Sequence, residues 1–428
     1  MRSVARDIFL HALSYSAISK AFESQVQYER GVLRIAEDLF DLSAYSRVFV
    51  VSMGKAAHSM VEALTAQVGG MTGIVAASTA PHSQVHGFRY FEGGHPTPNA
   101  ESFRAGEAIL RALSSQTARS LVIYLISGGG SSIVEKPVDE EIKLSDMIAM
   151  HRALVLSGAP IAEINAIRKH LSAVKGGRMA RAAAAAQQVS IMVSDVPENA
   201  LDSLASGPTM PDSSTVEDCY RIADQYQLLP SFPAAVRELF EQRALEETPK
   251  AGDSAFHRSR WWPVLSNRSV VEAASAKAVM SGFAVEVDNT CDDWNYTRAA
   301  DYLLGQLREL RRGVSRVCLI SGGEVTVKVS DGGTGGRNQQ FALYCAEKIA
   351  DQNVAVLSAG TDGLDGNSPA AGAIVDGSTI ERARGRGLNA ADALARFDAF
   401  PLFQALGDAL ITGPTQNNLR DLRVLLAY

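Results

Sequence analysis

The 428-residue chain is poor in cysteine and in aromatic side chains, and it has no excess of positive charge. Its four cysteines, Cys219, Cys291, Cys318 and Cys345, form no C-x-x-C pair and have no histidine cluster beside them. That speaks against structural zinc and a disulfide framework, and for free thiols in a reducing compartment. Lysine and arginine number 41 against 47 aspartates and glutamates, a formal charge of −6. Such a balance builds no general basic face for a nucleic-acid backbone, although a single cleft can still be basic. No segment approaches the ~20 apolar residues of a membrane helix; the longest apolar strand-like run is 121–126. Arg6, Asp7 and His11 interrupt the N-terminus, whose apolar Val4, Ile8, Leu10, Leu13 and Ile18 suit an amphipathic helix rather than a secretory signal. The expected location is the cytoplasm. Also missing are G-x-x-x-x-G-K-[ST], G-x-G-x-x-G, G-x-S-x-G and H-E-x-x-H, which excludes a P-loop and weighs against a nicotinamide enzyme.

What is present is an alternation of short β-rich runs with helical runs, the pattern of α/β layers. Strands are expected at 47–51, 73–77, 121–126 and 189–193, with helices through Ala56, Val61 and Leu64, over 102–113, and within 151–186. The strands are apolar on both faces, as in a parallel sheet covered by helices. The polar stretch 249–260 suggests a linker. Beyond it come strands at 262–265, 284–287, 316–320, 325–329 and 354–358, helices at 270–280, 297–311 and 338–350, and a Gly-rich tail. At this length two domains are expected, 1–250 and 251–428.

Several apolar strands end directly in loops of Gly, Ser and Asp, and in doubly wound sheets ligands bind at those ends. Ser127-Gly128-Gly129-Gly130-Ser131-Ser132 fits a phosphate cradle, because glycine lets backbone N–H groups approach an anion. A plain strand-to-helix turn would use the same glycines. Gly322 and Gly323, before Glu324, fit the same description. Lys55 follows Gly54 at the first such ending and can act as a point charge on a phosphoryl group, or simply face solvent. Arg337 follows a run of glycines at a helix start, where a guanidinium can grip phosphate or carboxylate. Asp195, Glu324 and Asp362 each follow a strand; such carboxylates can hold Mg²⁺, accept a proton, or cap the next helix. His95 sits in a Pro-rich loop, and Arg168 on a basic helical stretch; either can meet substrate or serve the structure.

Taken together, Gly54-Lys55-Ala56, Gly93-Gly94-His95-Pro96, the Ser127 to Ser132 loop, Asn165-Ala166-Ile167-Arg168-Lys169-His170, Ser194-Asp195-Val196, Ser206-Gly207-Pro208-Thr209, Ser321-Gly322-Gly323-Glu324, Gly336-Arg337-Asn338-Gln339 and Gly360-Thr361-Asp362-Gly363 resemble the glycerate 2-kinases of the MOFRL type, also labelled hydroxypyruvate reductases. The resemblance implies a Rossmann-like, doubly wound N-terminal domain and a smaller α/β MOFRL domain, with the active site in the cleft between them. It implies ATP and Mg²⁺, D-glycerate as acceptor and 2-phosphoglycerate as product. Lys55 and Arg337 fall on the family's catalytic positions. Asp195 is expected as base or metal ligand with Glu324 and Asp362. His95, Arg168 and Asn338 are expected at substrate. The tail motif departs from the family's pattern at Gln416, Asn417, Leu419 and Arg420, while Asp421 fits. Two other activities remain in view: an NAD(P)H-dependent hydroxypyruvate reductase, and a non-catalytic sugar-phosphate sensor. The sequence leaves a homodimer open.

Overall fold

The computed structural model describes residues 1–329, 332–415 and 417–428. The chain divides into two compact units: Ala21–Val264, and Leu265–Tyr428 together with Met1–Lys20. The sequence placed one boundary near residue 250. The polar stretch before 260 belongs to the first unit, because Ala255 and Phe256 are buried and the Phe256 ring packs against Gly177 and Trp261. The helix Arg2–Tyr15 belongs with the second unit. Its buried stripe of Ala5, Ile8, Phe9 and Ala12 packs on the helix Asn267–Met280.

The first unit opens with a small antiparallel sheet of β1 (Val26–Glu29), β2 (Val32–Ile35) and β3 (Asp38–Asp41). Its main sheet holds β4 (Arg47–Met53), β5 (Thr72–Ala77), β6 (Phe88–Glu92), β7 (Ser120–Ser127), β8 (Gln187–Val193) and β9 (Ser259–Leu265) in the order β6-β5-β4-β7-β8-β9. The first five pair in parallel. Every residue of β7 is buried, as a strand covered on both faces requires. The helix Ala100–Ser114 starts at a capping box between Asn99 and Ser102 and buries Ala105, Ile109 and Leu113, spaced four apart on one stripe.

The second unit carries a mixed sheet of β10 (Ala284–Val287), β11 (Val317–Gly322), β12 (Val354–Gly360), β13 (Gly372–Asp376), β14 (Ala409–Leu410) and β15 (Asp421–Ala427). Its order is β10-β11-β15-β12-β13-β14. Only β10 and β11 pair in parallel; the other pairings are antiparallel. β15, wholly buried between β11 and β12, occupies what the sequence presented as a tail. The strand expected at 325–329 is reduced to one bridge, Thr326 to Asn295. Its alternation is strand-like, yet β11 already has both edges filled by β10 and β15.

Leu425 faces β11 and β12 through Leu319 and Val356 and is fully buried. Leu425→Ala is expected to cost about 2–5 kcal/mol in urea denaturation. A loss under about 1 kcal/mol would contradict a central position for β15.

Candidate active site

β4 leads outward to β5 and β6, whereas β7 and β8 lie on its other side. The loops after β4 and β7 therefore flank the point where the strand order reverses, the place where open α/β sheets bind ligands. Gly54, after β4, has φ +116°, and a Cβ there would lie 2.4 Å from the Ser127 carbonyl oxygen. Only glycine allows this approach. It lets the Lys55 N–H donate to the Gly128 carbonyl (2.9 Å) and the Ala56 N–H donate to Ser127 Oγ (3.0 Å).

The missing side chains of the Ser127 to Ser132 loop let other groups close on it. A Cβ on Gly129 would lie 3.1 Å from Lys55 Cγ and 3.4 Å from the His95 ring. On Gly128 it would lie 1.9 Å from Asp195 Oδ2. His95 Nδ1 is 3.1 Å from Ser132 Oγ; burial, and then the Lys55 charge, lower its pKa, so the ring is neutral at pH 7. Arg168 Nη2 donates to Ser131 Oγ (2.6 Å), which also meets Ser206 Oγ (2.9 Å). Arg168 Nε is buried without a partner. Neither Lys55 nor Arg168 has an ion-pair partner among the described residues. Loop N–H groups from Ser132 to Val134 are used by the loop's own carbonyls. Those of Gly128, Gly129, Gly130 and Ser131 have no acceptor among the described residues. Open donors and two cations without an ion-pair partner among the described residues suit an anion. Lys55, His95, Arg168, Asp195 and the expected cradle are thus brought together.

Behind this loop Glu135 and Lys175 form a wholly buried ion pair, and Ser172 Oγ donates to Glu135 Oε1. Burial pushes the Lys175 ammonium down to about 8. His151 is pushed down to about 3, first by burial and then by Arg168, and its Nε2 is buried without a partner.

The glycines after β11 do a different job. The N–H groups of Gly322, Gly323 and Glu324 donate to Asn289 Oδ1 (2.7 Å), Asn267 Oδ1 (2.9 Å) and Asp292 Oδ1 (2.9 Å). The Gly322 and Gly323 carbonyls accept from buried Arg423 (3.1 and 3.0 Å). The phosphate donors expected at Gly322 and Gly323 are therefore already satisfied, and the loop instead positions Glu324. Arg337 opens the helix Arg337–Lys348. Its Nε and Nη2 donate to the two oxygens of buried Asp421 (2.6 and 3.0 Å), and Nη2 also pairs with Glu324 (2.7 Å). These carboxylates outweigh burial and raise its pKa, so it stays charged. Nη1 keeps no partner among the described residues. Asn338, expected at substrate, is instead buried: its amide accepts from Ser358 Oγ (2.6 Å) and donates to Asp365 (3.3 Å). Asp365 also caps the helix start through the N–H groups of Asn338 and Gln339, and burial pushes it up to about 6.

Mg²⁺ arriving with ATP needs only one or two protein carboxylates. Of the three expected ones, Asp195 lies against the open cradle. Glu324 is committed to Arg337, and Asp362 Oδ1 accepts from the Leu364 N–H (3.1 Å). Among the described residues no group of three or more His, Cys, Asp or Glu could hold a metal ion. The set fits an ion held mainly by phosphate oxygens. Gln416 lies outside the described residues.

The sequence reading missed Asp292, Arg420 and Arg423 as partners in the site. Arg420, at φ +68°, donates both Nη groups to Asp292 (2.6 and 2.7 Å). Asp292 in turn holds the Glu324 N–H, so a continuous set of bonds runs from Arg420 to Arg337. Arg337, Glu324 and Asp421 were visible beforehand, and Arg420 only as a departure from the tail motif.

Residues 4–241 match a domain of unknown function, DUF4147, and residues 317–421 match the MOFRL family. A D-glycerate 2-kinase of Thermotoga maritima is 36% identical over 387 residues, 88% of this chain and 89% of that one. The chain belongs to the MOFRL-type glycerate 2-kinase family. A glycerate 2-kinase of Pyrococcus horikoshii is 33% identical over 89% of this chain and 87% of its own. A provisionally named hydroxypyruvate reductase of Agrobacterium vitis is 34% identical over 89% of this chain and 87% of its own. The crystal structure of a glycerate kinase from Thermotoga maritima superposes with a TM-score of 0.87, covering all of this chain and 99% of that one at 31% identity.

Two outcomes are expected. Unfolded His151 takes up a proton below about pH 6.5 while the folded residue resists until about 3, so its contribution to stability falls as pH drops. His151→Leu is expected to remove roughly 1–2 kcal/mol of the stability lost between about pH 6.5 and pH 5; unchanged acid sensitivity in urea melts would sink this. Arg420→Asn keeps a residue tolerant of positive φ but releases Asp292. It is expected to lower kcat by about 10- to 100-fold while circular dichroism stays the same.

Proposed function

We propose that the chain transfers the terminal phosphoryl group of ATP to D-glycerate, giving 2-phosphoglycerate. The observation that carries this is the row of open N–H groups from Gly128 to Ser131, with Lys55 and Arg168 beside it. Such a site stabilises the spread charge of a phosphoryl group in flight, for which little covalent chemistry is required. Lys55 offsets charge on the moving group. Arg337 presents Nη1 to phosphate, with its plane set by Asp421 and Glu324. Arg168 and neutral His95 orient the small acid through its carboxylate and hydroxyls. Asp195 would hold Mg²⁺ or take the acceptor proton. When bound, the ion neutralises charge on the phosphates.

The reductase reading has less support, since the Ser52-Met53-Gly54-Lys55 turn after β4 lacks the repeated glycines that admit a dinucleotide pyrophosphate. A sensor would bind phosphorylated ligands and consume no ATP. We place the enzyme in the cytoplasm on the strength of its four buried, free thiols. No helix of the described residues is long and apolar enough to cross a membrane.

A coupled ADP-release assay over small hydroxy acids, with ³¹P NMR of the product, tests the activity. Lys55→Ala is expected to lower kcat by about 10³-fold or more. Arg337→Lys keeps the charge and loses the bidentate fork, and is expected to lose at least about 10-fold. Near-normal turnover in both variants would discard the assignment.

A further inference from the structure

A cleft of about 520 Å³ opens beside Arg337 within the second unit, lined by Val327, Val329, Asp362, Leu364 and Phe397 among others. We infer that it seats the nucleoside part of ATP, with the base against Phe397, Val327 and Val329 and the ribose at Asp362. This rests on the kinase reading and adds where the nucleotide's apolar end goes.

Four observations support it. Apolar side chains from three separate segments face one opening, and Val329 and Leu364 remain 62% and 45% exposed. A planar base uses such walls, whereas a three-carbon acid covered in hydroxyls does not. Phe397 stands at φ +53°, a region where glycine is at ease and a bulky residue is strained. Its backbone is held there by a bond to the Leu394 carbonyl (3.3 Å) and by close packing on Gly333, where a Cβ would lie 2.4 Å from the Phe397 oxygen. With the Asp398 N–H donating to the Ala393 carbonyl (2.9 Å), this is the left-handed closing position of the helix Ala390–Ala395, which fixes the backbone that carries the ring at the cleft wall. The polar end of the cleft supplies Arg337, with Nη1 open, and Asp362. One Asp362 oxygen serves the Leu364 N–H; the other has no partner among the described residues and can accept from a ribose hydroxyl. The volume lies within the ordinary range of small-ligand pockets, about 300–1,000 Å³.

The test measures ADP and glycerate affinity separately by calorimetry, using intact protein with Phe397→Gly and Val329→Asn. Phe397→Gly is expected to weaken ADP by about 10-fold or more and to melt no lower than the parent, because glycine relieves the φ. Val329→Asn, at an exposed position, is expected to weaken ADP by about 5-fold. Both should leave glycerate affinity within about 2-fold. Unchanged ADP affinity, absence of ADP binding by the parent protein, or a loss in glycerate affinity alone would overturn the inference. ADP binding needs no turnover. Protein that binds ADP with this mutational pattern but phosphorylates no acid would retain the pocket and refute the kinase reading.

Discussion

Four consecutive N–H groups, Gly128 to Ser131, have no acceptor among the described residues. A donor left unpaired and shielded from water costs about 1–3 kcal/mol, so a row of them is stable only where water or an anion completes it. Much of the first unit can be understood from that constraint. Gly54 must be glycine so that Lys55 can close on the loop. Glycines at 128 and 129 leave room for Asp195, Lys55 and His95. Arg168 approaches the loop through Ser131 and forms no direct ion pair with a carboxylate among the described residues. The buried Glu135–Lys175 pair supplies fixed charges behind the loop, and these bear on Arg168 and His151.

The second unit resolves the opposite problem. Its glycine loop after β11 has every donor and acceptor spoken for, by Asn267, Asn289, Asp292 and Arg423. Rigidity, and not openness, is what that loop provides. Arg337 is framed by Asp421 and Glu324, which costs desolvation of three charges yet leaves the guanidinium in one orientation with one free edge. An arginine tethered in this way loses little freedom on meeting a phosphate, and preorganisation of this kind is where electrostatic catalysis draws its strength.

Much of the first unit was legible in the sequence, because parallel strands buried on both faces are short apolar runs that end in Gly and Ser. Lys55, Asp195 and the 127–132 loop follow from those endings. The second unit was less legible for a related reason. β15 carries Asp421 and Arg423, two charges that break its apolar run, and both are paired: Asp421 fixes Arg337 and Arg423 clamps the Gly322–Gly323 carbonyls. Paired charge concealed a core strand. Conversely, Gly322 and Gly323 look like the cradle at 128–130 in sequence, and only their side-chain partners, drawn from residues 33 to 101 positions away, tell the two apart. Asn338 was misjudged in the same way, since its partners Ser358 and Asp365 lie on other segments.

Two left-handed residues of the second unit stand near Arg337 for different reasons. Arg420 and Phe397 both adopt left-handed backbone angles, at φ +68° and +53°, where asparagine or glycine would be cheaper. Each keeps a large side chain there nonetheless. Arg420 uses its guanidinium to hold Asp292 and, through it, Glu324; Phe397 lines the cleft that Arg337 borders. Both side chains thus bear on the surroundings of one guanidinium, from separate loops. Phe397 takes the angle that closes the helix Ala390–Ala395, as Gln227 and Arg243 close helices of the first unit; Arg420 closes no helix, and its angle is matched instead by the bonds that its guanidinium makes to Asp292.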